Sequence, residues 1–380
     1  MYHLLQPISV DFDFVSAAQK QILGGVIEVH TKVSVPDIEG ADIVLIGVKD
    51  DRNAINNEGT KHAPDEIRKA FYQLFPGDWA LKIVDIGNLV IGENIEQTYE
   101  NLESVLTELL KIDKSIVVLG GSQDFTYPIT KAFDAYSKLY NISLIDSVID
   151  ASLIDDEIDN ENYLTAILSD ESSSLHNANI IGLQTYYNHL SKYKIFEKIF
   201  VDYTKLSEAQ KNLLLVEPEL RDAHIVSMDV GAIKNAEFPA QKISKPNGFS
   251  GQEVCVLARQ AGIAVQNRIF GVFEYNPFFD KNNLSANLLA QVLWYFIEGK
   301  DRRIEDYPNI KKKDLIKFHV THKIWSIIFY KNEKTARWWV EINDLNLDGK
   351  LFSCSEQDYQ EAVNQKISNR LYHIINKNTI

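Results

Sequence analysis

Eight short runs of apolar, largely β-branched residues, separated by segments of helical period, constrain this chain more than any other feature. They cover residues 43–48, 81–86, 115–119, 142–146, 179–183, 199–203, 224–229 and 268–274. Most are apolar at nearly every position rather than at alternate ones, the pattern of strands covered on both faces. Between them, residues 95–111 place Ile95, Leu102, Val105, Leu106, Leu109 and Leu110 on one broad helical face. Residues 63–74 carry Pro64 in a first helical turn, where its missing N–H costs nothing. Alternation repeated this often predicts an α/β fold with an open, mostly parallel sheet and helices on both sides.

The flanks read differently. Residues 1–40 have no clear period and suit an N-terminal arm, which leaves 41–300 as the α/β domain and 301–380 as an appendage. In the appendage, 317–330 and 335–342 are aromatic and β-branched and are joined by the turn-like 331–334, a β-hairpin pattern. Ser355 with Asp358 forms a capping-box pattern opening a helix that runs to about residue 375. A β-β-α unit is expected. Trp325, Trp338 and Trp339 make it aromatic, and adjacent tryptophans on a strand face opposite ways. Packing on the main domain and contact with a second copy or a partner are both open readings of that pair.

Composition excludes several classes. The 380 residues carry a formal net charge of −14 with no basic stripe, which repels phosphate backbones, so no nucleic-acid partner is expected. No run approaches ~18 consecutive apolar residues, so no membrane span is expected. MYHLLQPISV lacks a basic region followed by an apolar stretch, and only two cysteines occur, Cys255 and Cys354, far apart. A reducing, cytoplasmic setting follows. The nine histidines do not cluster. His319 and His322, three apart on an expected strand, point to opposite faces. The acidic run 155–159 reads as a solvated loop.

In open α/β sheets chemistry gathers at the carboxyl ends of strands. Four of the expected strand ends carry polar groups: Gly120-Gly121-Ser122-Gln123-Asp124, Asp146 with Asp150, Asp229, and Glu274 followed by Tyr275-Asn276-Pro277. Any one of them is ordinarily a helix cap or loop carboxylate. Four on one edge make a site.

These landmarks resemble the ureohydrolase family of arginase, agmatinase and formimidoylglutamase. ADIVLIGV (41–48), NEG (57–59) and APDEIR (63–68) are similar to the family's opening strand, glycine loop and helix start. GGSQDFTYPI (120–129) is similar to the agmatinase run GGDHSITYP. IDSVID (145–150) stands in the place of D-A-H-x-D, and SMDVGAIKNAEFPA (227–240) in that of S-x-D-x-D-x-x-D. PNGFSGQE (246–253) and FEYNP (273–277) match the later landmarks in order. The resemblance implies a three-layer fold with an eight-stranded parallel sheet, and two Mn²⁺ ions on two histidines and four aspartates.

Carried over position by position, that ligand set is incomplete. The first histidine falls on Gln123, the second on Val148 and one aspartate on Gly231, while Asp146, Asp150 and Asp229 remain; a further aspartate of the last motif, outside the six ligands, falls on Lys234. One metal position keeps these three carboxylates, with Gln123 as an amide donor. The other relies on Val148 and Gly231, which offer no donor, and is expected to be empty. A single ion on hard oxygen ligands, whether Mn, Mg or Ca, polarises water less than two Mn²⁺ ions with imidazole ligands. The resemblance therefore implies a catalytically impaired homologue, acting as a binding or structural protein. The alternative is a hydrolase of linear amidine or guanidine C–N bonds using one metal, with Asp150 and Glu274 as its catalytic residues. A scaffold acting through the Trp-bearing appendage is a third reading.

Crowded carboxylates need a cation, and Lys234 or a bound metal would supply one. Glu274 matches the residue facing the substrate's cationic group, and Tyr163 falls near a further active-site histidine. A cationic small-molecule ligand and a homo-oligomeric assembly are expected.

Overall fold

The computed structural model describes residues 1–8, 21–136, 139–152, 157–199, 201–306, 314–322, 325–342 and 350–379. The strands are β1 (Leu5–Gln6), β2 (Glu28–Val29), β3 (Ile43–Gly47), β4 (Ile83–Leu89) and β5 (Ser115–Leu119), followed by β6 (Tyr140–Ile145), β7 (Leu175–Leu183), β8 (Asp202–Lys205), β9 (Ile225–Asp229) and β10 (Ile269–Phe273). They form one sheet in the order β1-β4-β3-β5-β10-β9-β6-β7-β8, with β2 also on β4. β3 to β10 are parallel throughout, and the short β1 is antiparallel at the edge. All eight expected strands are present and all lie in this sheet, which is the α/β class read from the sequence.

Alternation along each strand splits the core into two layers. On β3, Ile43 and Leu45 pack with Phe71, Leu289 and Phe296 on one face of the sheet. Val44 and Ile46 pack with Leu102, Leu106 and Phe133 on the other. The helix Ile95–Lys111 supplies the second layer through the apolar face its spacing predicts, and Asn94 caps it by accepting from Gln97 N. Helices Ala63–Phe71, Gly251–Ile263 and Leu284–Asp301 cover the first layer. Arg68, fully buried on Ala63–Phe71, donates from Nε and Nη2 to the two Asp85 oxygens at 2.7 and 2.9 Å. Tyr72 Oη donates to the same carboxylate at 2.6 Å.

The C-terminal unit is larger than its sequence pattern suggests. Residues 317–330 are not one strand but parts of two, β11 (Ile316–Thr321) and β12 (Ser326–Lys331), and β13 (Trp338–Ile342) and β14 (Phe352–Cys354) complete an antiparallel sheet. The expected helix is likewise two, Glu356–Val363 and Asn369–Thr379, with the Ser355–Asp358 capping box in place. Composition conceals the first division, because both strands are rich in β-branched and aromatic residues and no glycine or proline marks the point between them. Both tryptophans of the pair are buried within the chain. Trp338 joins the small core beneath the sheet, and Trp339 lies under the Arg221 guanidinium, 4.7 Å from its ring centre. Arg221 also donates to the Trp338 and Cys354 carbonyls at 3.0 and 3.2 Å, tying the unit to the main domain. Trp338 and Trp339 therefore offer no exposed ring to a partner. No helix among the described residues is long and apolar enough to cross a membrane.

Candidate functional site

The four polar strand ends belong to four adjacent strands, β5-β10-β9-β6. The chain runs from β3 outward to β4, returns to β5 on the opposite side of β3, then lands β6 beyond β10 and β9, so the site lies beside the point where the strand order reverses. Local backbone geometry turns the carboxylates inward. Asp146 Oδ1 accepts from Val148 N at 2.9 Å, and Asp229 Oδ1 accepts from Gly231 N at 2.6 Å. Each carboxylate thus holds its own loop in a turn.

Asp146, Asp150 and Asp229 converge as the sequence predicts, each offering an oxygen within 4.8 Å of the others. Burial, together with the mutual repulsion of the three charges, raises Asp146 well above the usual carboxylate range. The same two causes push Asp150 up to about 7. Burial also raises Asp229, against the attraction of a nearby ammonium.

That ammonium is Lys245, not Lys234. Lys234, the lysine that stands at an aspartate position of the resembled motif, turns away and pairs with Glu237 at 2.6 Å. Lys245 is buried, donates to Ser147 Oγ at 2.6 Å, and draws all three carboxyls back toward ionisation. Sequence reading missed it because nothing in its neighbourhood distinguishes it from a surface lysine of a loop. Only the return of that loop to the sheet edge places it among the carboxylates.

Gln123 is fully buried, and neither its side-chain oxygen nor its nitrogen finds a hydrogen-bond partner among the described residues. Asp146 Oδ2 is likewise unpartnered. Buried amide groups are rarely left so, and an ordered water or an ion would satisfy this one. Its neighbour Asp124 turns elsewhere, to Tyr99 Oη and Ser122 Oγ, and burial holds it near 6.

Glu274 follows β10 in the left-handed region, at φ 68°, a conformation costly for a side chain with a β-carbon. Its carboxyl accepts from Asn57 Nδ2 at 2.8 Å, Gln123 N at 2.8 Å and Asn160 Nδ2 at 3.1 Å. Burial, with the Asp229 charge beside it, pushes Glu274 up to about 8. Asn57 and Asn160 carried no role in the sequence reading, although the NEG loop marked the position of the first. Tyr163 is fully buried with its hydroxyl unpartnered among the described residues, and the charges of Asp150, Asp146, Asp229 and Glu274 all act on it. It stands at the site, as its alignment implied.

The edge opens into a cavity of about 290 Å³ reached by Val148, Asp150, Asp229, Gly231, Lys245 and Glu274. Two further lysines border it. Lys192 donates to the Ile149 carbonyl at 2.6 Å, and Lys242 pairs with Glu161. Of the acidic run 155–159, Asp155 and Asp156 lie outside the described residues. The residues fit one divalent ion on three carboxylate oxygens that lie within 4.8 Å of one another. They do not fit two, because Val148 and Gly231 bring no donor and an ammonium already lies beside Gly231.

Comparison with known proteins agrees with this architecture. Residues 41–298 match the model of the arginase family. The chain is 25% identical over 174 residues to the agmatinase of Blochmanniella floridana, covering 43% of this chain and 57% of that protein. It is 22% identical over 257 residues to the formimidoylglutamase of Staphylococcus carnosus, covering 63% and 79%. Among solved structures, formiminoglutamase of Trypanosoma cruzi with Mn²⁺ superposes with a TM-score of 0.67 at 22% identity, covering 74% of this chain and 99% of that one. Formimidoylglutamase from Bacillus subtilis superposes at 0.68 and 16% identity, covering 80% and 98%. The family match spans more than half of the chain and contains every strand of the site: this protein belongs to the arginase family.

Proposed function

We propose that this chain is a catalytically impaired arginase-family homologue, which holds at most one divalent ion and binds a cationic small molecule at the same sheet edge. One observation carries the reading. At the carboxyl ends of β6 and β9, Val148 and Gly231 supply no metal donor, and the buried Lys245 ammonium lies between their loops. A hydrolase that splits an unactivated C–N bond needs strong activation of water, which two metals provide and one weakly polarising ion on oxygen ligands does not. The ligand class follows from the cavity, where Asp150, Asp229 and Glu274 face a space large enough for a small amine or amidine.

The second reading keeps activity, as a hydrolase of linear amidine or guanidine C–N bonds. Its support is the unpartnered Gln123 amide, which together with Asp146, Asp150 and Asp229 would hold an ion supplying charge stabilisation to a substrate. The test is release of urea from arginine or agmatine, and of formamide from formimidoylglutamate, with Mn²⁺ present. The first reading expects no turnover above a metal-free control, but a thermal shift with agmatine or another small cation. Turnover that Asp229→Ala removes would replace it with the second.

A further inference from the structure

We infer that Lys245 is a resident cation that stands in for a second metal ion and sets the capacity of this carboxylate cluster at one. This rests on the single-ion reading above and deepens it.

Three observations converge on Lys245. Its ammonium is 5% exposed at the residue level, so it is not a solvated loop charge. Its position is fixed from both ends: the backbone carbonyl accepts from Asn235 N at 2.8 Å, and Nζ donates to Ser147 Oγ at 2.6 Å. Ser147 in turn donates to the Gly231 carbonyl at 3.2 Å, so one chain of hydrogen bonds joins the loops after β6 and β9 to the lysine. Finally, a β-carbon built at Gly231 would lie 3.1 Å from Lys245 Nζ and 3.1 Å from Asp229 Oδ1. The space a side chain at 231 would take is the space the ammonium uses. A side chain at 231 would therefore press on the ammonium, and one of the two would have to give way by a few tenths of an ångström.

Charge balance gives the capacity. With an ion bound, the three aspartates are ionised and carry −3, and Lys245 returns the cluster to −2, the charge that one divalent ion neutralises. A second ion would meet a buried ammonium instead of a further anionic ligand, and an uncompensated buried charge is not retained. Tyr187 backs the ammonium with its ring face, 5.6 Å away, which favours a cation at that point over empty space.

Metal stoichiometry on the full-length chain tests this directly. Wild type, Val148→His/Gly231→Asp, and the same pair combined with Lys245→Met are equilibrated with excess Mn²⁺, desalted and counted for metal per folded chain. Circular dichroism reports folding. The expected counts are one, one and two. Two ions in the wild type, two in the double variant that keeps Lys245, or one in the folded triple variant would overturn the assignment. Should the triple variant not fold, Lys245→Met alone decides: its Mn²⁺ affinity is expected to rise at least 10-fold, and Lys245→Arg to keep the wild-type value. An unchanged affinity in Lys245→Met overturns the assignment. No ion in the wild type but one in Lys245→Met would uphold Lys245 and remove the single-ion reading.

Discussion

Lys245 and Gly231 are complementary: the buried ammonium fills the corner that any side chain at position 231 would enter, 3.1 Å from where its β-carbon would stand. The missing side chain at one position and the ammonium from the other thus meet at a single point of the sheet edge. Three aspartates packed together without an ion would repel strongly. With Lys245 among them, the sheet edge holds as an ion cluster made of protein alone.

Removing that cation should leave the carboxylates unbalanced. Lys245→Met is expected to lower unfolding free energy at pH 8 in chelator by on the order of 2–3 kcal/mol, and Mn²⁺ to restore it. Urea titrations with and without the ion check both halves.

Asp229 is central to the cluster and also orders the Gly231 turn. Loss even of groups that only orient metal ligands reduces metal affinity by roughly 10–100-fold, so Asp229→Ala should reduce Mn²⁺ affinity by about 100-fold or more. Calorimetric titration reads this out independently of any turnover.

The buried carboxyls make stability depend on pH. Glu274 sits at about 8 in the folded state, well above the ~4.3 of a free glutamate, so between those values the folded protein binds more protons than the unfolded chain. Its contribution is complete below about pH 4 and is lost as pH rises toward 8, by at most about 1.4 kcal/mol per pH unit. Denaturation midpoints of the metal-free protein should fall across this window. Glu274→Gln should flatten the decline.

Arg68 and Asp85 form a fully buried bidentate pair, with Tyr72 on the same carboxylate. Breaking one partner strands the other charge in the core. Arg68→Ala should cost about 3–5 kcal/mol in chemical denaturation, far more than loss of the exposed Lys69–Glu66 pair.

Arg221 fastens the C-terminal unit by two carbonyl contacts and by stacking on Trp339. Arg221→Ala should loosen that unit first. Limited proteolysis is expected to remove C-terminal fragments faster than in the wild type, while residues 41–298 remain intact.

Much of this was written locally. Strand runs such as 43–48 and 115–119 are apolar at nearly every position because both faces are covered, and that pattern survives in sequence without any knowledge of partners. The same holds for Asp146, Asp150 and Asp229, whose places at strand ends follow from the strands themselves. The division between β11 and β12 did not show, because the residues of both strands favour extended structure and only their antiparallel pairing, Thr321 opposite Ser326, separates them.

What tertiary structure alone decided is which cation meets the three aspartates. From the chain, Lys234 was the natural candidate, since it occupies a position where relatives carry an aspartate. Folding turns it outward to Glu237 and brings in Lys245 from a later loop. A side chain's local pattern determines which face of an element it lies on, but electrostatic partnership depends on distances between segments remote in sequence, and only the packed sheet edge fixes those.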